Sequence, residues 1–248
     1  MAAKTKVIIA LDCNRLDEAR GIVETTREQV GIYKVGSILF TACGPKAVEM
    51  VRAQGREVFL DLKYHDIPNT VMGAVEGAAA MGVSMLTVHC AGGTEMIRAA
   101  LKGASLHQTT PRHSAVNSAA GLPTGTDGVT RPRIIGVTVL TSLAGSSDTL
   151  ARVLDYARDA AGAGVDGVVC SPLEVSRVKH AYGDSLLTVV PGIRLGEQGK
   201  DDQARIGTPV QAARDGADFV VVGRSVTASR DPGETLRRIQ AEIGDAWR

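Results

Sequence analysis

The sequence predicts an α/β fold, a single-domain (β/α)8 barrel, on three observations. Short apolar runs rich in Val and Ile, each about five residues long, recur eight times along the chain. Amphipathic stretches separate them, the pattern of parallel strands joined by crossover helices. Runs such as VIIAL at 7–11 and FVVVG at 219–223 are apolar on both faces, as strands covered by helices outside and a core inside require. Eight such units favour a closed barrel, with an open doubly wound sheet as the alternative. The 248 residues fit one domain over 1–248, because α/β barrels routinely reach about 250 residues undivided.

In chain order, strands are expected at 6–11, 31–36, 56–60, 83–89, 133–139, 165–170, 186–190 and 218–222. The clearest helices between them are 16–29, 70–81, 149–163 and 232–243, where apolar residues recur three and four apart. The phrases AGAGVDGVV at 161–169 and ARDGADFVVV at 213–222 each take a helix end through glycine into a strand. One segment breaks the rhythm: 105–132 is rich in Ser, Thr, Gly and Pro and lacks a sustained apolar period, so it reads as a long loop insertion. Helix-to-strand connections usually take about 2–6 residues. As such a connection it belongs at the face opposite the strand C-terminal ends, an inert surface insertion or an oligomer contact.

Charge excludes several functions. With 28 Lys and Arg against 27 Asp and Glu, the net charge of +1 leaves no footprint for nucleic acid or an anionic membrane. The opening MAAKTKVIIALD carries an apolar run too short for a signal peptide or a spanning helix, so the default location is cytoplasmic. Cys13, Cys43, Cys90 and Cys170 form no Cys-x-x-Cys pair and read as buried reduced thiols.

A barrel places its active site at the C-terminal ends of its strands. Asp12, Lys34, Asp61 with Lys63, His89, Thr141, Ser171, Arg194 and Arg224 stand in turn at the ends of strands one to eight and are expected to converge on one mouth. Asp61 and Lys63 are two apart on a strand and so lean to one face. Lys34 on the neighbouring strand can reach Asp61 from the other side, giving an alternating Lys–Asp–Lys array. Buried ion pairs are poor stabilisers, so several in one pocket point toward function. A Schiff-base lysine needs a depressed pKa, whereas carboxylates at Asp61 and Asp66 favour the ammonium and hold Lys63 as a proton donor. A metal at His65 and Asp66 is opposed by the adjacent Lys63 and by the lack of a further ligand set. His65 then reads as scaffold in the turn. Near the C-terminus, PGIR at 191–194 and VVGRSVT at 221–227 follow strands seven and eight, where Gly223, Arg194 and Arg224 suit a phosphate.

DLKYHDIPNT at 61–70 resembles the Asp-x-Lys-x-x-Asp-Ile-Pro-x-Thr signature of the orotidine 5'-phosphate decarboxylases, single-function bacterial type. ALD at 10–12, KVG at 34–36, VTVLTS at 137–142, PGIR at 191–194, DDQ at 201–203 and VVGR at 221–224 extend the resemblance across the chain. The resemblance implies a homodimer of barrels that converts orotidine 5'-phosphate to uridine 5'-phosphate and carbon dioxide without metal or organic cofactor. It implies that Lys63 protonates C6 of the pyrimidine, that Asp61 and Lys34 complete the charge network, and that Asp66 and Thr70 reach the partner's site. Asp12 and Lys34 would hold the ribose, with Ile67 a further substrate contact. Thr141 would lie over the pyrimidine, and Arg194, Gln203, Gly223 and Arg224 would hold the phosphate. The alternative is a magnesium-dependent sugar-phosphate decarboxylase or aldolase on the same barrel, which the IPNT continuation and PGIR disfavour.

Overall fold

Eight parallel strands pair in sequence order and close, first to last, into a barrel. The computed structural model describes residues 5–106, 131–142, 147–195 and 206–246. The strands are β1 Lys6–Ala10, β2 Ile32–Gly36, β3 Glu57–Tyr64, β4 Met85–His89, β5 Arg133–Val137, β6 Gly167–Val169, β7 Leu187–Val190 and β8 Phe219–Val222. Each lies within or beside its predicted run. The one substantial difference is β3, expected to stop at 60 and in fact continuing through Asp61, Leu62, Lys63 and Tyr64. Its polar end stays in the sheet because Tyr64 still pairs with Val88.

Helices α1 Leu16–Thr26, α4 Pro68–Ala80, α6 Ser147–Ala163 and α10 Pro232–Asp245 match the four periodic stretches, and α2 Ser37–Cys43, α3 Pro45–Ala53, α5 Gly93–Leu106, α7 Val175–Tyr182, α8 Pro209–Arg214 and α9 Arg224–Thr227 complete the shell. The local start signals are chemical. Pro68, Pro209 and Pro232 occupy the first helical turn, where a missing N–H costs nothing. Asp231 accepts from the Glu234 N–H at 2.8 Å, capping α10. The expected loop at 105–132 begins two residues late, because α5 runs through Leu106; its residues 107–130 lie outside the described residues.

Two cores result. The larger lies between barrel and helices, and the smaller, with Ile8, Ile32, Phe59, Met85, Ile135, Val189 and Phe219, fills the barrel. Alternation along odd-numbered strands stacks the interior in layers. Ile8, Phe59, Ile135 and Val189 form a middle layer; Asp61 lies two residues beyond Phe59, toward the C-terminal mouth. Two residues the other way, Lys6, Glu57 and Arg133 form a charged floor. Burial pushes the Glu57 carboxyl up, opposed by the Ser84 hydroxyl and by the charges of Arg133 and Lys6. Beside this floor Arg131 makes a two-pronged ion pair with Asp166 at 2.7 and 3.0 Å, and Asp166 also accepts from the Ile134 N–H at 2.7 Å. All four cysteines are free; Cys90 and Cys170 are buried as expected, but Cys13 and Cys43 are only half-buried. Among the described residues no helix is long and apolar enough to cross a membrane.

Candidate active site

The mouth of the barrel encloses a cavity of about 520 Å³. Asp12, Lys34, Asp61, Lys63, Thr141, Arg194, Gly223 and Arg224 line it, so eight of the sequence-predicted site residues meet in one space. Val137, Val139, Leu140 and Ile193 supply an apolar wall.

Charges alternate along its floor. Lys34 Nζ lies 3.0 Å from Asp12 Oδ1 and 3.6 Å from Asp61 Oδ2, while Lys63 Nζ donates to both Asp61 oxygens at 2.9 Å. The order is therefore Asp12, Lys34, Asp61, Lys63: the Lys–Asp–Lys array that the strand spacing predicts, extended by Asp12. Gly36 matters to this packing: a Cβ there would sit 3.0 Å from Lys34 Nζ and 3.4 Å from Asp12 Oδ1. Burial of Asp61 pushes its pKa up, but the ammonium groups of Lys34 and Lys63, with hydrogen bonds from Lys63 and Thr87, outweigh burial and hold it below the ordinary carboxylate value.

Thr87 was not foreseen. Its hydroxyl donates to Asp61 Oδ1 at 3.0 Å and accepts the Lys63 backbone N–H at 2.8 Å. Inside the run MLTVH a threonine looks like core, and only its inward register, two residues after Met85, marks it as facing the mouth. The backbone N–H it receives is available because β3 is irregular. Leu60 pairs with Leu86, yet the next pair is Tyr64 with Val88, so β3 spends two residues more than β4 over the same stretch. Lys63 sits in this bulge at φ +52°, the one non-glycine residue with positive φ among those described.

Other expected residues lie elsewhere. His89 and Ser171 do not line the cavity: the His89 ring stacks on His65 with centroids 5.2 Å apart, and Ser171 is fully buried with its N–H donated to Glu174 at 2.6 Å. A strand-end position fixes the barrel face but not where the side chain turns. Asp66, Ile67 and Thr70 are exposed and outside their own chain's cavity, with Asp66 accepting the Ile67 N–H at 2.6 Å. Gln203 lies outside the described residues. Among the described residues on either side, the Arg194 N–H donates to Gly207 O at 3.0 Å and the Gly207 N–H to Gly192 O at 3.1 Å.

The family model described as orotidine 5'-phosphate decarboxylase / HUMPS family matches residues 5–239. The chain belongs to that family. An orotidine 5'-phosphate decarboxylase of Anaeromyxobacter sp. (strain K) is 43% identical, covering 98% of this chain and 100% of that protein. The decarboxylase of Moorella thermoacetica is 41% identical, covering 98% and 94%. A crystal structure of the Lactobacillus acidophilus decarboxylase superposes with a TM-score of 0.76 at 34% identity, covering 96% of this chain and 98% of that one. An uncharacterized conserved protein from Geobacillus kaustophilus gives 0.75 at 35% identity, covering 96% and 99%. With full-length relatives so named, the chain is an enzyme of the decarboxylase family, a carboxy-lyase.

Proposed function

We propose that the protein decarboxylates orotidine 5'-phosphate to uridine 5'-phosphate, the last step of de novo uridine 5'-phosphate synthesis, with Lys63 as the proton donor and no metal or organic cofactor. The carrying observation is the cavity-lining order Asp12, Lys34, Asp61, Lys63, in which a carboxylate held ionised keeps an ammonium aimed at the mouth. When the bond between C6 and the carboxylate breaks, its electron pair stays on C6. A preorganised ammonium stabilises that charge as it develops. C6 then takes a proton from Lys63 Nζ, and the neutral amine regains one from solvent.

The other roles follow the cavity's layout. Asp12 and Lys34 hold the ribose hydroxyls, Thr141 covers the pyrimidine, and Arg194, Gly223 and Arg224 meet the phosphate, with Gln203 as a further phosphate ligand. Binding energy from that remote phosphate can be used at the reacting carbon. Asp66 and Thr70 complete a second chain's site in a homodimer, with Ile67 between them as a further substrate contact; their exposure outside their own cavity supports this. In that site Asp66 beside the substrate carboxylate raises the ground state. The enzyme works in the cytoplasm.

Incubation with orotidine 5'-phosphate and a chelator, following carbon dioxide release, tests the reading. Wild type turns over under these conditions. Lys63→Ala loses at least about 10³-fold in kcat, since it removes both electrostatic stabilisation and the proton. Folded wild type without turnover overturns the reading, and activity abolished by the chelator favours the magnesium-dependent alternative.

A further inference from the structure

We propose that the stacked pair His65–His89 is a positioning device that holds Lys63 at its reacting angle, acting by shape and not by proton transfer; this rests on the reading of Lys63 as proton donor. A long side chain at positive φ occupies a backbone region that L-residues avoid, and such conformations persist where the surroundings over-determine them. Around Lys63 the restraints come from three successive residues of β4. Thr87 binds the Lys63 N–H at 2.8 Å, Val88 pairs with Tyr64, and His89 stacks on His65 at 5.2 Å with ring planes 26° apart. From Lys63 to His65 the chain is therefore matched to β4 residue for residue, first by a side chain, then by the ladder, then by an aromatic contact.

The stack is itself held in place. The Ala91 N–H donates to His89 Nδ1 at 3.4 Å, which leaves Nε2 to carry the proton of the neutral ring. Gly92 leaves room for the partner, as a Cβ there would lie 3.2 Å from His65 Cδ2 and 2.1 Å from Met96 Sδ. Burial lowers the His89 pKa, and the neighbouring His65 and Lys63 lower it further. A neutral His89 can lie against its neighbour without adding a second positive charge beside the Lys63 ammonium. Neither histidine lines its own chain's cavity.

His65→Ala and His65→Phe separate the possibilities. Loss of the stack frees the bulge, and displacement of a reacting group by about 1 Å can cost of order 10²-fold. The alanine variant is expected to lose at least about 10-fold in kcat while KM, set largely at the distant phosphate, changes less than about 3-fold. The phenylalanine variant, which keeps an aromatic face, recovers to within about 3-fold of wild type. Amide hydrogen exchange at Lys63, read on all three proteins without substrate, accelerates at least about 10-fold in the alanine variant only. Wild-type kcat and exchange in His65→Ala overturn the proposal, as does equal impairment of both variants, which would assign the imidazole a chemical role. If wild type fails to turn over orotidine 5'-phosphate, the functional reading falls, and the exchange comparison still decides whether the stack holds Lys63.

Discussion

Asp61 is the residue on which the charge network turns. It is the shared partner of Lys34 and Lys63 and accepts from Thr87, with only 12% of its side chain exposed. Its folded pKa lies below the ordinary value, so its contribution to stability is present above the unfolded carboxyl pKa of about 4 and is lost as pH falls through the folded value. Asp61→Asn leaves two ammonium groups without their common partner. Urea unfolding at pH 7 should show a loss of about 1–3 kcal/mol, and the gap to wild type should narrow below about pH 4; a gap constant with pH would contradict this origin. Much of this network is legible in the sequence, because the spacing of two between Asp61 and Lys63 and the neighbouring-strand position of Lys34 are geometric facts of a sheet. Thr87 is not legible, since nothing in an apolar strand marks one hydroxyl as bonded to a carboxylate across the ladder. His89 and Ser171 mislead for a related reason: both stand at strand ends, and packing turns one onto His65 and seals the other in the core.

Among the elements, β3 departs most from what periodicity can tell. Eight apolar runs locate eight strands because two-sided burial demands apolar residues, but the bulge that seats Lys63 is an irregularity of pairing, invisible until β4 is beside it. The helices after β3 and β4 are also fitted to each other closely. Gly103 of α5 meets the backbone of α4 so tightly that a Cβ would lie 2.3 Å from Met72 O. Gly103→Ala would raise intrinsic helix propensity by about 1 kcal/mol, yet overpacking against rigid backbone costs about 1–3 kcal/mol. The expected net result is a Tm lower by a few degrees, about 2–4 °C per kcal/mol for a chain of this size. A thermal scan showing a higher Tm would mean that the two helices separate freely. Because α4 begins at Pro68, directly after the exposed turn carrying Asp66, such separation would also move that turn.

Across the whole molecule, the barrel divides its chemistry between two ends. Its mouth holds the cavity, and its opposite end holds the Lys6, Glu57 and Arg133 layer together with the Arg131–Asp166 pair. The closed order of strands was foreseen from their number and the helices between them, whereas the charged floor was not, because Lys6, Glu57 and Arg133 each look like a polar strand start. The long segment at 107–130 attaches at this floor end. Replacing it with a short Gly/Ser linker should leave kcat within about 2-fold and change stability by about 1 kcal/mol or less, since loop length enters the closure entropy only logarithmically. A large loss of carbon dioxide release would show that the segment contributes to the site or its assembly. The Arg131–Asp166 pair gives this arrangement a practical meaning. Asp166 grips Arg131 with its carboxylate and the start of β5 through the Ile134 N–H, so strand registration is fixed immediately downstream of residues 107–130. Chain length between Leu106 and Arg131 is thereby uncoupled from the alignment of β5 with its neighbours. A reporter domain spliced into that interval would ride on the base of the barrel while the catalytic mouth kept its geometry, a ready route to a tethered or fluorescent form of the enzyme.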